Sequence, residues 1–299
     1  MPSFFYNVNE SRLRSGWRIL IAVTLLLILL IITSPLYDYG LIVYIWQAVA
    51  VLGVMWFASH FLDKRPFADY GFQISAKWMR DALIGCLIAA IAMLLIFAAQ
   101  FYLGWITIDQ IGADGDRAVF WSGILMFFVM MIAVGIWEEA FFRGFLLTNM
   151  QDGFQNKYVD NKSAMLIAVL ITSGIFGLLH MSNPNATMAS GLNITIAGMV
   201  LAYPFVVTGS LAIPIGIHFS WNFFQGAVFG FPVSGIENQE SLVMITQGGP
   251  EMFTGGAFGP EAGITGLAGL LLILILSEVY MKSAVMKNIK PVDENQQNR

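Results

Sequence analysis

Charged residues are what this 299-residue chain has least of: Asp, Glu, Lys and Arg together make up 11% of it. Soluble globular domains carry about 25%, so a soluble fold is excluded at the outset. Cysteine is almost missing. The lone Cys86, set in an apolar run, excludes an internal disulfide and a cysteine-based zinc site, and reads as packing. Histidine occurs three times, and the His-Glu-x-x-His spacing that puts two zinc ligands on one helix face does not occur. No heptad, solenoid or low-complexity repeat stands out. A net charge of -4 says little about partners, and none among nucleic acids is expected.

What is there is apolar sequence: 57% of the residues are hydrophobic and the mean hydropathy is +0.71. A helix crosses a bilayer with about 20 apolar residues. The length therefore suits an all-α polytopic membrane bundle of about eight helices, forming a single transmembrane domain over 1–299. The expected spans are 17–34, 39–62, 81–105, 119–150, 163–180, 188–207, 211–230 and 263–281. The first run is long and no small-residue cleavage site follows it, so it reads as a retained span and not as a signal peptide. Residues 66–80 read as an interfacial approach to the third span. Stretches 106–118, 151–162 and 231–262, the last with six glycines, read as loops, and 282–299 as a polar frayed tail. Gly226 and Gly230, four apart, fit a close helix contact.

Basic residues are strongly sorted. Arg12, Arg14 and Arg18 precede the first span, Lys64, Arg65, Lys77 and Arg80 lie between the second and third, and Lys157 and Lys162 between the fourth and fifth. With Lys282, Lys287, Lys290 and Arg299 after the last span, 13 of the 15 fall on one side. Such a bias marks the cytoplasmic face. It predicts a multi-pass protein of a cell membrane, read as a bacterial plasma membrane, with both termini cytoplasmic. The opposite face is acidic, with Asp109, Asp114, Asp116, Glu237, Glu240, Glu251 and Glu261.

One apolar run is broken by Trp137-Glu138-Glu139-Ala140-Phe141-Phe142-Arg143. Ionisable groups within a membrane are expensive, and they mark functional sites when partners are at hand. Residues four apart share a helix face, so Glu139 and Arg143 can pair and hold one carboxylate in place. Glu138, rotated about 100° away, is freer to act as a general base. His218 and Asn222 are also four apart, and together can donate hydrogen bonds to one developing oxyanion. His180 can help Glu138 hold a water. Alternatively His180, His218 and a glutamate are three metal ligands with water in a fourth place, assembled from separate helices. Other polar groups read more plainly. His60 sits at a membrane edge, Glu278 is interfacial, and Gln47, Gln100, Asn193 and Gln225 are interhelical hydrogen-bond partners.

Taken together, Glu138-Glu139-x-x-x-Arg143, Phe176-x-x-x-His180 and His218-x-x-x-Asn222 resemble the three motifs of the CAAX protease and bacteriocin-processing (CPBP, or Abi) family. These are intramembrane endopeptidases related to the type II CAAX prenyl protease. The resemblance covers about 120–235, which would be the catalytic core. It implies a helical membrane fold with a water-accessible cavity, in which Glu138 and His180 activate a water. It implies that His218 and Asn222 stabilise the oxyanion and that Glu139 and Arg143 shape the site. The family carries a metalloprotease label, and a metal-free glutamate mechanism has also been argued for it. Zn2+ is therefore an open cofactor; if it is bound, its ligands are Glu138, His180 and His218. The implied partners are a protein or peptide substrate, lipidated or membrane-embedded, and the lipid bilayer. Two rival readings are a non-catalytic immunity-type membrane protein and a transporter that uses the acids and imidazoles as an ion or proton relay. No inverted repeat or paired broken helix supports the latter.

Overall fold

The computed structural model describes residues 4–288 except 9, 114 and 239, with the backbone alone at 37–39 and 284–288. Asp114, Lys290 and Arg299, used in the charge pattern above, lie outside the described residues. Eight long helices follow one another: α1 (Ser15–Ile32), α2 (Leu41–Asp63), α3 (Ala76–Tyr102), α4 (Arg117–Phe154), α5 (Asn161–His180), α6 (Met188–Thr208), α7 (Ala212–Phe223, prolonged by a π-helical turn Phe224–Val228) and α8 (Ile264–Asn288). The protein is a multi-pass membrane bundle. All of these helices except α7 are long and apolar enough to cross a bilayer, which makes seven among the described residues.

The eighth, α7, has 12 residues before its π turn, and every residue from Ala212 to Asn222 but Phe219 is buried. Small residues let it sit that deep. A Cβ on Gly216 would fall 2.0 Å from the Ala82 carbonyl oxygen of α3, and one on Gly85 would fall 2.5 Å from that of Ile213. The two backbones touch where neither carries a side chain. Ser220 Oγ then donates to the Cys86 carbonyl at 2.7 Å. On the other flank Gly135 brings α4 within 3.2 Å of the Phe219 nitrogen, measured from the Cβ it lacks.

Connections cluster at two ends, as alternating crossings require. At one end the Leu211 N–H donates to Gly71 O at 3.0 Å and Gln73 Nε2 to Gly209 O at 3.3 Å. Arg18 Nη1 reaches buried Asp63 at 2.8 Å and its Nη2 reaches Asp152 at 3.2 Å. Asn149 Nδ2 and the Tyr70 hydroxyl also donate to Asp63. Burial, with the neighbouring Asp63 charge, pushes the Tyr70 phenol far above its ordinary value, so it stays a donor. At the opposite end Asn183 Nδ2 donates to Ser234 O at 3.1 Å. There β1 (Ile106–Ile111) pairs antiparallel with β2 (Val243–Gln247), with a bulge between Ile108 and Gln110.

Those strands correct the reading of 106–118 and 231–262 as plain loops. The partners of this ladder lie more than a hundred residues apart, so no local signal announces it. The boundaries of α3 and α4 also differ. Ser75 caps α3 by accepting from the Trp78 N–H at 3.2 Å, so the helix starts at Ala76 and not at 81. Polar residues continue α4 to Phe154, leaving a shorter loop before the Asp160 cap of α5. The expected tail is helical through Asn288, and 289–299 lie outside the described residues. Gly230 is past the end of the π turn at φ +69, its missing Cβ 2.3 Å from the Val243 oxygen, so it serves a turn and not a helix contact.

Gly216→Ala should lower stability by about 1–3 kcal/mol through overpacking against α3. Gly174→Ala, on α5 with nothing within 4 Å of the new methyl, should leave the unfolding transition where it is. Denaturant unfolding in bicelles measures both, and equal behaviour of the two variants would contradict the α3–α7 approach.

Candidate functional site

The site is assembled from four helices. Apolar α4 carries Glu138 and Glu139 in mid-helix, and a π-helical turn over Ala140–Leu147 follows at once. An i→i+5 turn inside a helix is a local irregularity frequent at functional sites. Glu139 is fully buried. Its Oε1 accepts from Arg143 Nη1 at 2.9 Å and from His218 Nδ1 at 2.7 Å. The predicted i,i+4 pairing is therefore present, and it has a third member on α7. Arg143 is 2% exposed, donates from Nη2 to Gly198 O of α6 at 3.2 Å, and lies over the Phe176 ring of α5 at 4.6 Å. One buried cation thus fastens α4 to α5 and α6.

Glu138 does not point away from this group as helix rotation alone suggested. The two adjacent carboxylates bracket one imidazole from opposite edges: His218 Nδ1 meets Glu139, and Nε2 stands 3.6 Å from Glu138 Oε2. That is beyond hydrogen-bonding range. Glu138 Oε2 is buried with no hydrogen-bond partner among the described residues. His180, at the end of α5, holds its Nδ1 2.8 Å from the Phe176 carbonyl. A carbonyl only accepts, so Nδ1 carries the hydrogen and Nε2 is left free.

Glu138, His180, His218 and Asn222 all line one cavity of about 330 Å³ with mainly apolar walls. The structure thus brings together the residues of all three motifs. His60 is elsewhere, exposed and stacked on Trp56 at 6.1 Å. Gln100 makes the expected interhelical bond, to Thr265 Oγ1 of α8 at 2.9 Å, whereas Gln225 bonds locally instead, to Pro232 O in the connection after its own helix at 2.5 Å. Glu278 accepts from the Tyr203 hydroxyl and pairs with Lys282 at 2.8 Å.

Glu261 is the residue that sequence reasoning placed wrongly. Counted as one acid of a loop, it is 8% exposed and lines the same cavity. Burial pushes its carboxyl above the ordinary range, against the opposing pull of the hydrogen bonds from Ser234. The signal available was weak: one acid in the Gly-rich approach to an apolar span.

The zinc alternative does not fit the donors. No group of three or more His, Cys, Asp or Glu side chains among the described residues is arranged to hold a metal ion. No step is therefore derived through a metal at Glu138, His180 and His218.

Fold and site together define a polytopic membrane protein with an acid–imidazole cluster buried among its helices. Residues 120–224 match the family of type II CAAX prenyl endopeptidase Rce1-like proteins. That segment holds Glu138, Glu139, Arg143, His180, His218 and Asn222. Over 225 residues the chain is 27% identical to the uncharacterised protein YyaK of Bacillus subtilis (strain 168), covering 74% of this chain and 71% of that one. No solved structure matches. The family match bears out, over that segment, the resemblance drawn from the motifs.

Glu139→Ala leaves Arg143 and His218 without their shared acceptor, and should cost about 3–5 kcal/mol of stability, as loss of one partner from a buried ion pair does. Glu138→Gln removes no hydrogen bond at Oε2 and should unfold like the parent. Thermal unfolding of the two purified variants makes the comparison; a similar loss in both would contradict the division between an engaged and a free carboxylate.

Proposed function

We propose that the protein hydrolyses a peptide bond within the membrane, with Glu138 as general base on a water that it holds together with His180. The observation that carries this reading is the contrast between neighbouring carboxylates. Glu139 takes both Arg143 and His218 on Oε1 and is not part of the cavity wall, whereas Glu138 lines the cavity; each keeps a buried Oε2 without a partner among the described residues, but only that of Glu138 belongs to a cavity-lining side chain.

The chemistry follows from the atoms that are free. His180 Nε2, with Nδ1–H given to Phe176 O, accepts one hydrogen of the water. Glu138 takes the other proton as the water oxygen attacks the substrate carbonyl carbon. Negative charge moves to the carbonyl oxygen. Asn222 Nδ2–H, and His218 Nε2 when it carries a proton, donate to that oxygen, and Glu139 keeps the His218 ring in place through Nδ1. The C–N bond then breaks and the proton held by Glu138 passes to the leaving amine. Apolar walls exclude bulk water, which strengthens each of these interactions.

The substrate in this reading is a protein or peptide segment of apolar character that reaches the cavity from the bilayer. The sorted basic residues support a topology with both termini in the cytoplasm. The turns flanking the cavity, 181–185 and 231–236, then lie on the acidic face. Eight crossings, with α7 as a short central one, satisfy this topology.

Purified protein in liposomes, offered a set of membrane-embedded peptides, tests the assignment. Glu138→Gln and His180→Ala should abolish cleavage. Asn222→Ala should lower kcat by 100- to 1000-fold, about 2.7–4 kcal/mol of transition-state stabilisation. Full cleavage by the Glu138→Gln protein would overturn the role of Glu138. Proton-coupled flux without any peptide cleavage would favour a transporter.

A further inference from the structure

Glu261 is a charged side chain at the cavity that the mechanism above leaves unused. It stands in the turn Pro260–Ala262, just ahead of α8. Three donors converge on it. Its Oε2 accepts from the Ser234 N–H at 2.6 Å and the Ser234 hydroxyl at 2.9 Å, and its Oε1 from Trp221 Nε1 at 3.3 Å. These donors belong to separate pieces of chain. Trp221 immediately precedes Asn222 on α7. Ser234 sits at φ +49, a left-handed conformation that few residues other than glycine adopt, and its carbonyl accepts from Asn183 Nδ2 at 3.1 Å. Asn183 in turn donates its N–H to His180 O at 3.1 Å.

We infer that Glu261 is a positioning residue of the site: it clamps Trp221 to the Ser234 turn, and so sets Asn222 against the segment that follows His180 across the cavity. Packing already brings these pieces as close as backbone allows. A Cβ on Gly235 would lie 1.8 Å from Pro184 O, and one on Gly259 2.1 Å from Pro232 O. Surfaces pressed together in this way still need directional bonds to fix their registration, and a buried carboxyl group that accepts from three N–H and O–H donors supplies them. Only an acceptor serves at position 261. An amide in its place sets its NH2 against one of the three donors, and an unpaired buried group is costly.

The inference rests on the proposed peptidase reading for its kinetic arm alone. In that arm Glu261→Gln should lower kcat at least 10-fold with KM changed less than threefold. Trp221→Phe should lower kcat less, and should add nothing in the Glu261→Gln background, because both remove the same clamp. An unchanged kcat would overturn the inference. So would a raised KM at constant kcat, which would make Glu261 a substrate contact. The second arm needs no activity. Spin labels at Leu179 and Met252, both exposed, are placed in a Cys86→Ser protein. Their distance distribution should broaden on Glu261→Gln and on Trp221→Phe; unchanged distributions would overturn the clamp. If Glu261→Gln fails to fold, Trp221→Phe, which removes a single N–H, decides both arms. A parent protein that cleaves no peptide would defeat the peptidase reading and leave the label distances to judge Glu261.

Discussion

The buried carboxylate of Glu139 is the interaction on which the remainder depends. It has no exposure to solvent and takes hydrogen bonds from a guanidinium on its own helix and an imidazole on another. A charge in so apolar a place is stable only when paired and hydrogen-bonded. Meeting that need draws α4 and α7 together, and Arg143 extends the link to α6 through Gly198 O and to α5 through the Phe176 ring. Four helices are thus tied to one carboxylate. The same tie turns the His218 ring so that its second nitrogen faces Glu138. A structural ion pair and a site geometry are here one arrangement.

Depth is what gives that arrangement its character, and small residues make the depth attainable. Gly85 and Gly216 let α3 and α7 meet backbone to backbone, and Gly135 does the same between α4 and α7. Gly177 and Gly198 bring α5 and α6 together, with missing Cβ positions 2.1 Å from Thr195 Oγ1 and 3.0 Å from the Ser173 Cβ. In lipid, where burial of apolar surface between helices gains little, close approach and interhelical hydrogen bonds take over as the cohesive terms. The ends of the bundle are held differently. A cluster around Asp63 and Asp152 gathers three of the arginines that sort to one face, Arg12, Arg18 and Arg65. Part of the positive charge that sorts to this face is therefore neutralised within the fold.

How far the sequence could be read follows from the range of each signal. Membrane spans are local: a run of apolar residues declares itself, and α1, α2, α5, α6 and the body of α8 lie where hydropathy puts them. The Glu139–Arg143 pair is also local, one helical turn long, and so was legible. The meeting of the three motifs could be expected because isolated polar groups in apolar segments must find one another. Helix caps were less legible, since a single side-chain bond such as that of Ser75 moves a boundary by several residues.

What the sequence determined by itself was the membrane class, the order of the helices, the sorting of basic residues, and the set of side chains able to do chemistry. Each is a property of composition or of spacing within one segment. Only the tertiary structure decided which carboxylate is engaged and which is free, because that depends on where His218, eighty positions onward, places its two nitrogens. It alone paired β1 with β2, and it alone carried Glu261 from a loop into the cavity. These are contacts between distant segments, whose relative placement no local pattern encodes.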